Sequence, residues 1–279
     1  MPPVPEGHSA TASNGWEESR RHSTRGRYTD KYIQVGWCLG FVGLLLTFWQ
    51  AATYVFAINP YILPSPLAIG HTLIVSMGFL TRHMLVTLAE TLLGFALASV
   101  VGVLLAMVLA HFRRLREASY PVLIFVQTTP KVALAPVLLV WFGYGWLPKL
   151  AMTFLAAFFP ILINTMAGLT NIDEELIYLT RILGASSTQI YRKVRLRNAL
   201  PFMFAGFKVG MTLAIIGALV AEFVSADRGL GYIIVTAQGQ FRTDLAFAAI
   251  FLLAVIGLGL FYLLEAAEKF LLPWVPRDT

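Results

Sequence analysis

The sequence predicts an all-α membrane protein that crosses the bilayer several times. Three observations carry that prediction. First, 57% of the residues are hydrophobic and only 13% are charged, against about 45–50% and about 25% in soluble domains. Second, several apolar runs exceed the roughly 18–20 residues that a helix needs to span a bilayer. Third, the basic residues fall in short clusters between those runs. A formal charge of +6 therefore reads as membrane topology and not as a nucleic-acid footprint.

Taken in order, residues 1–30 are rich in Ser, Thr, Gly, Glu, His and Arg, a composition too polar to bury a core, and they predict a disordered tail. The Arg20-Arg21 pair invites a twin-arginine export reading. No matching apolar pattern follows directly, and the next run is long enough to span, so an uncleaved first helix is expected. Six spans then make 31–279 one transmembrane domain, at about 32–58, 84–111, 120–142, 149–169, 202–225 and 244–271. Leu63-Pro64-Ser65-Pro66 opens a weaker segment, 67–80, expected as a short helix outside the membrane core. Pro130 and Pro136 interrupt the third span, each deleting a backbone donor.

Lys and Arg fix the orientation, because cytoplasmic loops carry them in excess. One side holds Arg20, Arg21, Arg25, Arg27, Lys31, Arg113, Arg114, Arg116, Arg181, Arg192, Lys193, Arg195 and Arg197; the other holds Arg82, Lys149, Arg228 and Arg242. Both termini are expected in the cytoplasm.

That places the loop at 170–200 in the cytoplasm, and its sequence predicts two capped helices. Asn171 with Glu174 fits a capping box, and Leu176, Leu179 and Leu183 recur at helical spacing. Gly184 can end that helix in a left-handed conformation. Ser186 with Gln189 fits a second capping box, starting a helix with Ile190 and Val194 on one face and Arg192, Lys193 and Arg195 on the other. A loop that only set topology would need the charges but not the caps. The stretch Leu183, Gly184, Ala185, Ser186, Gln189, Ile190, Arg192, Lys193 and Val194 is therefore expected to be gripped by a partner protein.

Within the spans, Glu90, Lys131 and Glu222 are expensive charges and so functional candidates. Pro130, Lys131 and Pro136 fit a broken helix lining a translocation path, or a kink that neighbouring helices tolerate. Glu90 and Glu222 fit a path, a gate or a structural ion pair. Gly206 and Gly210 form a G-x-x-x-G pair, read as packing within the subunit, and Glu265 with Lys269 fits a surface ion pair. No His/Cys cluster suggests a metal, no Ser/His/Asp set suggests catalysis, and Cys38 stands alone in an apolar run. No phosphate loop is present to hold ATP.

The chain resembles the inner-membrane permease subunits of binding-protein-dependent ABC importers, whose cytoplasmic loop follows the pattern E-A-A-x3-G-x9-I-x-L-P. Aligned on Gly184, the sequence supplies Val194 and Leu196 at the matching positions. Tyr178-Leu179-Thr180 stands in place of E-A-A and Arg197 in place of the proline. Leu63-Pro64-Ser65-Pro66, Pro130 to Pro136, Trp141-Phe142-Gly143-Tyr144-Gly145, Phe158-Phe159-Pro160, Ala221-Glu222-Phe223 and Gly229-Leu230-Gly231-Tyr232 resemble the nitrate/sulfonate/taurine branch.

The resemblance implies a type I importer fold in a bacterial inner membrane. It also implies a non-catalytic role without cofactor or metal, and a second permease, most simply a homodimer. The expected partners are a cytoplasmic ATP-binding subunit that grips the loop, mainly after Gly184, and an extracytoplasmic solute-binding protein. Substrates of that branch are small anions such as nitrate, sulfonates or taurine, with pyrimidine-type vitamin precursors or aromatic compounds as the alternative. A rival from another class is a secondary transporter driven by an ion gradient through Glu90 and Glu222, which predicts an inverted repeat that the sequence does not display.

Overall fold

The computed structural model describes residues 36–275 apart from 38 and 226. The expected tail at 1–30 and Cys38 lie outside the described residues. Those residues divide at Leu67–Ala68 into two units. The first contains α1 (Leu39–Val55), an apolar helix followed by a turn in which the Asn59 side chain accepts from the Tyr61 backbone. Its 17 residues fall within the span expected at 32–58.

Every regular element of the second unit is a helix among the described residues. It holds α2 (Pro66–Val75) from Ala68 onward, then α3 (Met77–His111), α4 (Arg113–Thr128) and, after a 3-10 turn at Lys131–Leu134, α5 (Ala135–Phe142). There follow α6 (Trp146–Thr170), α7 (Glu174–Ile182), α8 (Ser187–Ile190), a π-helical turn at Tyr191–Arg195, α9 (Leu196–Ser225), α10 (Leu230–Gly239) and α11 (Thr243–Leu271). Among the described residues four helices are long and apolar enough to cross a membrane: α3, α6, α11, and the continuous stretch Ser187–Ser225 made of α8, the π turn and α9. α4 with the turn and α5 passes the same test only together, as a pair bent by 80° that is either a broken fifth span or a re-entrant loop.

α6 is the centre of this unit. Small residues let its neighbours approach closely. A Cβ on Gly206 would lie 3.2 Å from the Pro160 carbonyl, and one on Gly210 would lie 2.9 Å from Ile161. The G-x-x-x-G pair therefore packs within the subunit, against α6. On its other side α6 meets α3, and Ala98, Ala106, Leu109, Ile161, Leu162 and Ala214 close a core among the three helices. Thr72 on α2 donates to Asp244 at 2.6 Å, tying that short helix to the start of α11.

The proline-broken third span takes a more specific form than a kink. Thr129 is extended (φ −63°, ψ 131°), as the ring of the following Pro130 demands. The chain then makes the 3-10 turn and starts a new helix. Pro136 sits in the first turn of α5, where no backbone donor is needed. The expectation that Pro136 disturbs a helix is thus corrected: it begins one.

Candidate functional site

Three groups of residues stand out, and the structure keeps them separate. The first is the loop between α6 and α9. Its first cap differs from expectation: Asp173, not Asn171, caps α7, accepting from the Glu175 backbone N–H at 3.0 Å. Asn171 instead ends α6, and its carbonyl accepts from Asn198 at 3.1 Å. Asp173 wins because its short carboxylate, one position before the helix, reaches the second free donor. At the far end Gly184 has φ +80°. The Ala185 N–H donates to the Thr180 carbonyl and the Gly184 N–H to that of Arg181, the paired bonds of a left-handed glycine stop. Ser186 and Gln189 then form a complete capping box, at 2.8 and 3.3 Å.

These caps hold α7 with an apolar face outward. Leu176, Tyr178, Leu179, Ile182 and Leu183 are exposed, Ile182 by 81% and Leu183 by 77%. Beyond the glycine the pattern reverses. Ile190 is only 6% exposed, and Arg192 and Lys193 point outward. Arg197, standing where the family motif has proline, places its guanidinium 4.5 Å above the Trp274 ring. That contact pins the described end of the chain to the base of α9.

The second group surrounds the α4–α5 break. Lys131 Nζ donates to the Gln127 carbonyl at 3.1 Å, the group that a continuing helix would pair with a backbone N–H. The same ammonium lies 5.4 Å from the centre of the Phe159 ring. With Met152, Ala156, Leu213, Ile216, Gly217 and Val220 it lines a small cavity of about 170 Å³ between the break, α6 and α9. Neither Glu90 nor Glu222 lines it.

The two glutamates form the third group, deep among α3, α6, α9 and α10. Glu90 is paired with Lys149 at 2.8 Å, and both side chains are buried. Lys149 therefore does not belong to a loop, as its use in fixing orientation assumed; it is an internal charge of α6. Glu222 is 1% exposed. One of its oxygens accepts from Thr87 at 2.7 Å and the other from the Gly231 backbone N–H at 2.6 Å. Thr87 Oγ1 in turn accepts from the Leu230 N–H at 2.8 Å, and His83 Nδ1 from the Gly229 N–H at 3.1 Å. Three consecutive donors opening α10 are thus satisfied by side chains from α3 and α9, and a carboxylate faces the positive end of the helix. Gly229 has φ +113°, and a Cβ there would strike the Glu222 carboxylate. The run Gly229-Leu230-Gly231 is glycine-flanked because Glu222 comes that close. Nothing local in the sequence marked Thr87 as the partner of Glu222, Lys149 as that of Glu90, or His83 as that of the Gly229 backbone.

The family model for the binding-protein-dependent transport system inner membrane component matches residues 98–275. The riboflavin transport system permease protein of Chloroflexus aurantiacus is 42% identical, covering 83% of this chain and 87% of that relative. The formylaminopyrimidine transport permease protein of Halalkalibacterium halodurans is 36% identical, covering 84% and 94%. The taurine transport system permease protein of Escherichia coli is 28% identical, covering 86% and 90%. A non-catalytic, multi-pass subunit of the bacterial inner membrane, whose ATP is hydrolysed by a separate ATPase, accounts for these matches and for the apolar helices, and displaces the ion-gradient transporter. The chain belongs to the binding-protein-dependent transport system inner membrane components, the permease subunits of ABC importers.

Proposed function

We propose that two copies of this permease form the membrane path for a small nitrogen-heteroaromatic solute, which an extracytoplasmic binding protein delivers. In this reading the α7–α8 loop faces the cytoplasm and takes its motion from the ATPase. One observation carries the coupling: the apolar face of α7, capped at both ends, lies on a polar, charged loop and needs a protein groove to cover it. Leu183, Gly184, Ala185, Ser186 and Gln189 set the rigid corner, and Arg192 and Lys193 form its basic rim. Ile190 is buried beside that corner and Val194 half-buried, so the grip falls on α7 at least as much as beyond the glycine.

Two observations support the heteroaromatic class. The relatives named for riboflavin and formylaminopyrimidine are nearer in sequence than the one named for taurine. Among the described residues, Lys149 and Lys208 each face a carboxylate. Lys131 faces a carbonyl and a ring in an otherwise apolar cavity, a setting suited to an aromatic solute with an acceptor group. In that role Pro130 and Pro136 shape the path and Lys131 lines it, while Glu90 and Glu222 brace the wall behind it. A small anion such as nitrate, a sulfonate or taurine is the second reading, favoured by the positive charge of Lys131.

Reconstitution with the partner ATPase and binding protein, followed by uptake of labelled formylaminopyrimidine, riboflavin and taurine, separates the two. Uptake of a heteroaromatic compound that survives Lys131→Met at reduced rate is expected. Taurine uptake alone, abolished by Lys131→Met, overturns the substrate reading.

A further inference from the structure

A cavity of about 390 Å³ opens where the end of α3, α7, α8 and the π turn meet. Its polar lining is Arg181 from α7, Arg195 and Tyr191 from the π turn, Ser187 and Thr188 from α8, and His111 from the end of α3. No carboxylate lines it, and among the described residues no carboxylate forms an ion pair with either guanidinium. Of the acids at the start of α7, Asp173 and Glu175 border the apolar face formed by Leu176, Tyr178, Leu179 and Ile182, and Glu174 lines neither that face nor the cavity. α7 is thus two-sided, with Ile177 and Arg181 turned to the cavity.

Unneutralised guanidiniums from two separate elements, with an imidazole and three hydroxyls, match an oxyanion that accepts several charge-assisted bonds at once. Phosphate is the group that fits this best. Tyr191 and Arg195 are four residues apart and bracket the π turn. Such turns are rare and recur at functional sites. The remaining wall is apolar, made by Ala110, Ile177 and Ile190. One edge is the end of α3, an apolar helix long enough to span, where basic residues meet anionic headgroups if this end is cytoplasmic.

We propose that this cavity binds a phosphate group, carried by an anionic phospholipid headgroup or by a soluble phosphate, and that the bound anion fixes α7 against the bundle. The regulatory half of the proposal rests on the coupling role of α7, because an anion held here sets how stiffly the loop passes on ATPase motion.

The test uses the full-length permease in nanodiscs without its ATPase, so a failure here is separate from a failure of the docking reading. Amide hydrogen exchange across α7 is compared in neutral phosphatidylcholine and in phosphatidylcholine with added phosphatidylglycerol. Inorganic phosphate and glycerol phosphate are titrated into the neutral discs. Exchange roughly tenfold slower with the anionic lipid is expected, the effect of a gained charge-assisted bond. The Arg181→Gln/Arg195→Gln double variant should lose that protection, and Arg192→Gln/Lys193→Gln, outside the cavity, should keep it. Protection by soluble phosphate at equal strength assigns the site to a free anion. Equal exchange in all conditions, or equal loss in both double variants, overturns the proposal.

Discussion

Removing the Glu90 carboxylate would strand the Lys149 ammonium where little water reaches it. Breaking one partner of a buried pair costs about 3–5 kcal/mol, whereas replacing both with apolar groups of similar size is often neutral. Glu90→Leu alone is therefore expected to lower thermal stability in detergent sharply, and Glu90→Leu with Lys149→Met to restore it. If the double variant also transports, the pair is structural; if it is stable but inactive, Glu90 or Lys149 touches the path. Glu222 makes a graded test. Gln at 222 keeps an acceptor for either Thr87 or Gly231, while Ala leaves those donors unpaired, at about 1–3 kcal/mol for each. Melting temperatures in the order wild type, Glu222→Gln, Glu222→Ala are expected. At this scale the sequence was least informative. Glu90 and Glu222 stood out as charges in apolar runs, but Lys149 lies 59 positions from Glu90 and Thr87 lies 135 from Glu222. No periodicity connects residues so far apart, so only the folded bundle reveals that both acids are occupied.

Among the elements, α7 and its glycine corner were the most legible. Left-handed backbone at Gly184 and the Ser186–Gln189 box are local devices, with donors and acceptors within a few residues. The first cap was misassigned between Asn171 and Asp173 because both types cap equally well and only helix position separates them. A side chain at 184 must adopt φ +80°, at a cost of roughly 1–2 kcal/mol. Gly184→Val is expected to preserve insertion while tilting α7 and reducing ATPase capture on co-purification. Ile182→Glu keeps the corner but places a charge in the exposed apolar face, and should release the ATPase outright. Full retention of the ATPase by Ile182→Glu would move the grip away from α7. The bend at Pro130 was visible as a break, but neither its 80° size nor the side chain of Lys131 taking over the freed Gln127 carbonyl was.

For the molecule as a whole, span lengths and positive clusters announced a polytopic membrane protein, because lipid requires long apolar helices wherever they fall in a chain. Ends of spans were less legible. α3 begins at Met77 and not at 84, and its 35 residues reach about 52 Å at a rise of 1.5 Å each, well beyond a hydrocarbon core of about 30 Å. Polarity stops a hydropathy window, but it does not stop a helix. Pairing of permeases is an expectation at this scale: mass photometry of the purified complex should give two copies of this chain with two ATPases. A single copy would exclude the homodimer.

The Arg197–Trp274 stack also gives the protein an optical handle. An indole covered by a guanidinium has an emission that changes when the two separate, and this pair joins the helix leaving the α7–α8 loop, proposed above to meet the ATPase, to the described end of the chain. Of the six tryptophans, Trp274 is the one whose light would report movement of that loop. With the other five changed to phenylalanine, ATP-driven cycles should be visible as a rise and fall in fluorescence without any added dye.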